Sequence, residues 1–471
     1  MEYMVYESVD QGLSQEDYEG WELRTAHFKN RVEWLSAHPR HSKSIRTCSV
    51  FGMAEAPLAI MNSQHPSASE VYHAMLSTLK SSLPSFTGLR SIYFQNVDMD
   101  EDVLRTLVTL PFLTAGQFHA TNFECRKIAP PLTLKDLVLS DVASRADVAP
   151  LEIFSNQRLE VFRFVSDTIP SETSCLKSFV EQGPSTLLTS LFISLKVETI
   201  SDIFSFFEAC PSVISLSASL EATDFPPLYP RLSASALPCL RSYSGPASLA
   251  VIVVPSRPVT SVVIQDSWKT GSWNTGTTHE QPMSCLSAVA KSSAKIRTIS
   301  LLNLIPHPNI FNVISQLFPD LRSLSLRFHP STEDELEDKL PTAAEVDEYF
   351  TMAEDIEMIP VAVADDGNPV RPPESFKGLI DCLRANGGPL PPLLGQLTIL
   401  YGKGNMRSFF MSCLSLREQR SAVLEMSKHF PSLNTVIFGR RTVKWVKDHD
   451  SHWKPSASYQ RYLDGKIWAI Y

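Results

Sequence analysis

The chain has 471 residues, of which 43% are apolar and 20% are charged. This composition supports a buried core and excludes a largely disordered chain. With 42 Lys and Arg against 51 Asp and Glu, the formal net charge is -9, which argues against general nucleic-acid binding because phosphate contacts need basic charge. The length is enough for about three globular domains or for one long repeat array.

The N-terminal residues do not have the pattern of a secretion signal. Met1–Gly12 contains no basic segment followed by an apolar one. The longest aliphatic run near mid-chain, Leu249–Val254, is far too short to span a bilayer. The eight cysteines are widely spaced, as is typical of reduced intracellular proteins. We therefore expect an intracellular protein, cytoplasmic or nuclear, with no membrane contact.

One short pattern, apolar-x-x-apolar-x-apolar, recurs along most of the chain. Its copies are Ile45-Cys48-Val50, Leu89-Ile92-Phe94, Leu134-Leu137-Leu139, Leu159-Phe162-Phe164, Leu188-Leu191-Ile193, Val213-Leu216-Ala218, Val259-Val262-Ile264, Ile296-Ile299-Leu301, Leu321-Leu324-Leu326, Leu394-Leu397-Ile399 and Leu433-Val436-Phe438, with degenerate copies at Leu113-Gly116-Phe118 and Leu240-Tyr243-Gly245. From the copy at 89 to the copy at 321 the nine steps total 232 residues, a mean near 26.

The spacing of the pattern predicts alternating strands and helices. The last two apolar positions lie two residues apart and so point to the same side of a strand. Helix-like segments lie between copies at Asp100–Leu110, Thr173–Gln182, Ser201–Ala209, Met283–Lys291 and Asn309–Phe318. The fold expected is α/β, a leucine-rich-repeat solenoid with a curved parallel sheet backed by helices and with irregular repeats. The alternative is a doubly wound α/β sheet, which would have more continuous apolar strands and Gly-rich turns.

The sequence divides into four predicted segments. These are an N-terminal helical cap (1–44), the repeat array (45–330), an acidic, Pro-flanked insertion (331–392), and the final repeats with a C-terminal cap (393–471). Residues 331–366 hold 13 acidic residues and one Lys, a net of -12, so the other 435 residues sum to +3. A charge run of this kind favours a solvated loop. The alternative is a segment that docks a basic partner or folds back over the rest of the chain.

The C-terminal residues 440–471 are basic and aromatic. They contain seven Lys or Arg against three Asp, together with Trp445, Trp453 and Trp468. Cations interleaved with aromatics can bind single-stranded nucleic acid. A repeat array also needs an atypical unit to cover its end, and the alternation of Val443 and Trp445 is typical of a half-buried strand. We favour a capping unit and do not expect nucleic-acid binding.

Motifs for catalysis or for cofactor binding are incomplete. Residues 271–276 have the glycine spacing of a P-loop, but Thr277 stands where the essential Lys belongs. Two His pairs, His38 with His41 and His449 with His452, lack further ligands at a known spacing. We expect no enzymatic activity, no cofactor and no metal site.

The predicted strands indicate a binding surface. Residues that flank the central apolar position of each strand face the concave side of a solenoid, away from the core. Large side chains there are typical anchors of protein interfaces, and the middle repeats present small Ser residues beside them. We predict a protein partner on this face, bound by Tyr93, Arg163, Phe192, Ser215, Ser217, Ser242, Ser244, Ser323 and Ser325.

Residues 24–50, RTAHFKNRVEWLSAHPRHSKSIRTCSV, resemble the start of the repeat region in fungal F-box-like leucine-rich-repeat proteins. There, a helix ending in a His-Pro turn leads into the first strand after the F-box. The residues before Arg24 are too few and too acidic for an F-box, so that element is absent or truncated here. The resemblance implies a substrate receptor of a cullin-type ubiquitin ligase, with an Skp-type adaptor as a partner only if an F-box is restored. The alternative is a repeat scaffold unrelated to ubiquitination, with nucleic-acid or regulatory contacts through the basic aromatic tail or the acidic insertion.

Overall fold

The structure is a computed structural model. It describes residues 3–4, 26–27, 29–51, 76–125, 128–144, 150–166, 176–195, 200–220, 232–233, 235–265, 280–304, 309–328, 376–385, 390–401, 416–438 and 443–456. The chain divides into two compact units, an N-terminal unit, Met1–Leu240, and a C-terminal unit, Arg241–Tyr471. The four-segment division stays a prediction. The acidic residues 331–366 and the glycine pair at 271–276 lie outside the described residues.

The N-terminal unit contains a parallel sheet. Its strands, in spatial order, are β1 (Tyr3–Met4), β2 (Thr47–Phe51), β3 (Ser91–Gln95), β5 (Ala115–His119), β8 (Asp136–Ser140), β11 (Val161–Val165), β12 (Ser190–Leu195) and β13 (Ser215–Leu220). Two-residue strands pair in small parallel sheets beside it: β4 (Asp98–Met99), β6 (Asn122–Phe123) and β9 (Ala143–Ser144) in one, β7 (Leu132–Thr133) and β10 (Phe154–Ser155) in the other.

The apolar pattern accounts for these strands and for their register. Each of the thirteen copies coincides with a strand. Between β3 and β13, the last two apolar positions of each copy pair with their equivalents on the next strand. They form two buried rows: Ile92, Gly116, Leu137, Phe162, Leu191 and Leu216, then Phe94, Phe118, Leu139, Phe164, Ile193 and Ala218. The core of the unit therefore lies along one side of the sheet.

Gly116 shows why one copy is degenerate. A Cβ at this core position would lie 2.7 Å from Leu134 Cδ1 and 2.9 Å from the Phe118 ring. Those two side chains already fill the space that Ile92 and Leu137 fill on the neighbouring strands. The loss of the apolar residue at 116 is thus compensated by its neighbours, and the strand is kept.

Helices cover part of the connections in the N-terminal unit. They are Pro39–Ser42, Glu101–Val108 and Ile200–Glu208, with further helical residues at 29–37, 76–82 and 176–181, and 3-10 turns at Leu83–Ser85 and Pro150–Ile153. Asp100 caps Glu101–Val108 by accepting the Val103 N–H at 2.7 Å. The described connections from β5 to β11 contain no α-helix, because prolines at 130, 131 and 150 disfavour one.

The C-terminal unit has the same alternation. Its strands, in spatial order, are β14 (Ser242–Gly245), β15 (Ser261–Ile264), β16 (Thr298–Leu304), β17 (Ser323–Phe328), β18 (Gln396–Tyr401), β19 (Thr435–Phe438), β20 (Val443–Lys447) and β21 (Trp453–Pro455). Its helices are Ala247–Val253, Glu280–Val289, Asn309–Leu317, Phe376–Ala385 and Leu416–His429. Strands β14 to β19 are parallel, whereas β20 and β21 are antiparallel. The last two strands make a hairpin at the end of this sheet.

The fold is therefore α/β, with a mostly parallel sheet backed by helices in each unit. The five predicted helical segments coincide with helices within a few residues at either end. Among the described residues, no helix is both long and apolar enough to cross a membrane.

Candidate protein-binding surface

The side of the N-terminal sheet opposite the buried rows carries five of the nine predicted binding residues. We call it the open face. It presents two rows of half-buried or exposed side chains between β3 and β13: Ser91, Ala115, Asp136, Val161, Ser190 and Ser215 in the first, and Tyr93, Gln117, Val138, Arg163, Phe192 and Ser217 in the second. The alternation that buries one set of residues thus exposes the other.

Arg163 and Phe192 lie side by side in the second row. They are direct register partners on β11 and β12, so their backbones are about 4.8 Å apart. Arg163 is exposed and makes no hydrogen bond or salt bridge within the described part of the chain. A free guanidinium beside a half-buried aromatic ring offers both a charge and an apolar contact to a partner.

Tyr93 belongs to the same row but lies apart from this pair. Strands β5 and β8 stand between it and Arg163, which makes the separation three interstrand spacings, or about 14 Å. Its hydroxyl donates to Gln95 Oε1 at 2.8 Å, and its ring lies 5.1 Å from that of His119. Burial raises the pKa of the Tyr93 phenol. The predicted large residues therefore occupy two places on one row rather than one cluster.

Asp136 adds an acidic group beside Arg163 that the predicted site left out. It pairs in register with Val161 on β11, two residues before Arg163. Its Oδ1 is buried and has no hydrogen-bond partner among the described residues. Burial raises the pKa of the carboxyl group, and the nearby Arg163 charge opposes that rise. Its signal in the sequence is a charged residue on a strand of otherwise apolar and small side chains.

His119 is the second residue that the sequence interpretation missed. It ends β5, beside Tyr93, and pairs in register with Ser140. Burial lowers the pKa of its imidazole, while the Asp141 carboxylate opposes that effect. The degenerate copy at Leu113 hid it, although the same alternation places 115, 117 and 119 on the open face.

The predicted serines occupy equivalent positions in both units. Ser215 and Ser217 end the two open-face rows on β13. In the C-terminal unit, the register joins Ser242, Ser261, Thr298 and Ser323 in one row and Ser244, Val263, Ser300 and Ser325 in the next. Gln265 Nε2 donates to Ser244 Oγ at 2.8 Å. These rows present small side chains, and their described members carry no charge.

Two tryptophans of the C-terminal hairpin are buried, and whether the hairpin acts as a cap stays a prediction. Trp445 and Trp453 are buried, and Trp445 Nε1 donates to Gln419 Oε1 at 3.2 Å. Neither ring is therefore free to stack on a base. Trp468 lies outside the described residues.

The turn of this hairpin gathers acidic and His ligand atoms. Oxygen or nitrogen atoms of Asp448, Asp450 and His452 lie within 4.8 Å of one another. Lys454 Nζ already lies 2.8 Å from Asp448 Oδ2, and the backbone N–H groups of Asp450 and His452 donate to Asp448 Oδ1 at 3.0 and 2.8 Å. We interpret the cluster as a turn held by one carboxylate. His449 is exposed and is not part of it.

The N-terminal His pair is part of an aromatic stack. Trp34 is 48% exposed, and its ring lies 4.2 Å from that of His38 and 5.1 Å from that of His41. His38 Nδ1 lies 2.6 Å from the Trp34 carbonyl oxygen. That ring nitrogen is thus engaged with the helix backbone.

A scan against protein-family models gives no match, and a search of curated proteins finds no similar sequence.

Proposed function

We propose that this protein is a non-catalytic leucine-rich-repeat scaffold that binds a protein partner through the open face of its N-terminal unit. Thirteen copies of one apolar pattern, at a mean step near 26 residues, support the repeat assignment. Repeat arrays of this kind bind partners on extended surfaces of their sheets. The curved solenoid shape is part of this proposal.

The arrangement of Arg163, Phe192 and Asp136 carries the proposal. Arg and aromatic residues supply most of the binding energy at protein interfaces. Arg163 makes no hydrogen bond or salt bridge within the described chain, and Asp136 Oδ1 is buried without a donor. A buried acceptor without a donor costs about 1–3 kcal/mol, and groups with a shifted pKa concentrate at functional sites. A partner that brings a positive charge beside Asp136 and packs on Phe192 would lower the cost of that buried carboxylate.

The resemblance of residues 24–50 to fungal F-box-like proteins suggests a more specific role. In that role the open face would select substrates of a cullin-type ubiquitin ligase. A pull-down with an Skp-type adaptor tests it. Binding by a product extended at its N-terminus, but not by the present chain, would support the receptor role, whereas absence of binding by both would leave only the general scaffold.

The general proposal is tested by substitution on the open face. A captured and identified partner would be purified, and its affinity measured by calorimetry for the wild type and for Arg163→Ala/Phe192→Ala. We expect a loss of roughly 2–4 kcal/mol of binding free energy. Phe112→Ala/Arg158→Ala is the matched control, since it removes the same two residue types at exposed positions of the N-terminal unit outside the open face. Unchanged affinity in the Arg163→Ala/Phe192→Ala variant, with an unchanged circular dichroism spectrum, would reject the open face as the site.

A contact with nucleic acid through the basic tail is the alternative function. The burial of Trp445 and Trp453 works against it, since those rings support the hairpin. Salt-sensitive binding of an RNA oligomer that is lost on deleting residues 440–471 would favour this alternative.

A further inference from the structure

A row of arginines lies where the strands of the C-terminal unit begin. The carbonyl oxygen of Arg241 accepts the N–H groups of Thr260 and of the next residue, at 2.8 and 3.1 Å. The carbonyl oxygen of Thr260 accepts the N–H groups of Arg297 and of the next residue, also at 2.8 and 3.1 Å. The carbonyl oxygen of Arg297 accepts the N–H groups of Arg322 and of the next residue, at 2.9 and 3.0 Å. These paired bonds hold the four residues in a line across four adjacent strands.

The three arginines of this line, Arg241, Arg297 and Arg322, are the arginine row. All three are exposed, and none makes a side-chain hydrogen bond or a salt bridge within the described part of the chain. Asp320 lies two residues before Arg322, but its carboxylate is paired with Lys295 at 3.0 Å. The row therefore keeps its positive charge.

At the equivalent strand starts of the N-terminal unit, most charged side chains have a hydrogen-bond or salt-bridge partner. Arg46 Nη1 donates to the carbonyl oxygens of Lys43 and Gly88 at 2.8 and 2.9 Å. Lys135 Nζ lies 2.6 Å from Glu160 Oε1 on the next strand. Arg90 is the exception, because no described residue pairs with its side chain. Its next neighbour along the line is a threonine. Among the strand-start residues that the structure describes, two adjacent arginines that both lack a side-chain hydrogen bond and a salt bridge thus occur in the C-terminal unit alone.

The spacing and the chemistry of the row point to a ligand. Arg297 and Arg322 are about 4.8 Å apart at the backbone, and like charges on adjacent strands repel. The whole row spans about 14 Å, which an extended segment of roughly four residues covers. The planar guanidinium group pairs bidentately with a carboxylate. The line has no aromatic side chain on which a base could stack.

We propose that the arginine row binds a carboxylate-rich segment of a partner protein. Such a segment supplies several acidic side chains along one extended stretch and neutralises charges that the chain itself leaves unpaired. The site lies at the start of the strands in the C-terminal unit, so it is separate from the open face and does not depend on the proposed function.

A fluorescent hexaglutamate peptide is the probe. Fluorescence anisotropy at low salt would measure its affinity for the full-length chain and for Arg297→Gln/Arg322→Gln. We expect the double variant to weaken binding roughly tenfold or more, because two charge-assisted contacts are lost. Arg417→Gln/Arg420→Gln is the matched control, since these exposed arginines of helix Leu416–His429 change the net charge equally. We expect it to change affinity less than about twofold.

Three outcomes would overturn the proposal. Equal weakening in both double variants would mean that only net charge matters. Tighter binding of a decauridine RNA or of a phosphoserine peptide through the same arginines would assign another ligand. Binding that appears only when the five acidic residues of 333–338 are replaced by Gln and Asn would assign the row to the chain's own acidic segment. The Arg163→Ala/Phe192→Ala variant should bind hexaglutamate normally, which keeps this test independent of the open face.

Discussion

Asp136 is the residue of the open face whose ionisation opposes folding. Because burial raises its pKa in the folded state, the carboxylate destabilises the fold above its unfolded pKa, and the protonated form does not. We expect Asp136→Asn to raise the free energy of unfolding at about pH 7, with the gain shrinking as the pH falls to about 4. Urea unfolding at both pH values measures this. Ser190→Ala, in the same row, should show no such pH dependence, and an equal gain at both values would contradict the interpretation.

Gly183 and Ala120 both have left-handed backbone conformations, so exchanging Gly for Ala at one and Ala for Gly at the other should change stability in opposite directions. Gly183 has φ +88, and a Cβ there would meet no atom within 4 Å. Gly183→Ala should therefore cost about 1 kcal/mol from backbone strain alone. Ala120 is exposed with φ 44, so Ala120→Gly should stabilise by about 0.5 kcal/mol. Thermal unfolding of both variants checks the signs, and destabilisation by Ala120→Gly would show that its conformation differs.

At the scale of elements, side chains join the connections of successive strands. Ser292 Oγ lies 2.8 Å from the carbonyl oxygens of both Arg257 and Val259. Asn156 Nδ2 similarly donates to the Gly183 carbonyl at 2.8 Å. We expect Ser292→Ala to destabilise the protein by about 1 kcal/mol, because a partly buried carbonyl oxygen loses its hydrogen-bond donor. The exposed neighbour Ser293→Ala is the control in the same urea titration, and equal effects would refute a specific role for Ser292.

The C-terminal hairpin depends on the ionised form of Asp448. The Lys454 ammonium and the backbone N–H groups lower the pKa of Asp448 to about 2. Its stabilising effect is therefore complete above the unfolded pKa, near 4, and is lost as the pH falls toward 2. Hydrogen exchange of the His452 amide should be faster in Asp448→Asn than in the wild type at about pH 6. Asp450→Asn is the control, since its side chain holds no backbone group in the described turn, and an equal acceleration there would argue against the role of Asp448.

For the whole molecule, two buried thiols report on the two units. Cys210 is fully buried, and burial raises its pKa, while Cys285 is 1% exposed. Cys239 is exposed. In native buffer an alkylating reagent should modify Cys239 before Cys210 and Cys285, which should stay protected. Mass spectrometry across a urea series should show each buried thiol labelled only as its unit unfolds, and rapid native labelling of either one would contradict the burial described.

The positions of the strands could be predicted from the sequence, because the spacing of apolar residues marks each strand. The two-residue strands Asp98–Met99, Asn122–Phe123 and Ala143–Ser144 could not, since two residues are too few to show a period. The environment of Asp136 was equally hidden, because the spacing of apolar residues along one strand does not show which side chains surround a residue in the folded chain. The protein-binding role of the open face stays a prediction.

The paired hydrogen bonds to the carbonyl at each strand start have a consequence for how this protein tolerates insertions. They fix the register of a strand against its predecessor, whatever the connection between them. Strands β15 and β16 begin from copies 37 residues apart, and β17 and β18 from copies 73 residues apart, yet both pairs keep the same bonding at Thr260 and at Arg322. Connection length is therefore decoupled from sheet geometry, so foreign segments placed in these connections should leave the sheet intact.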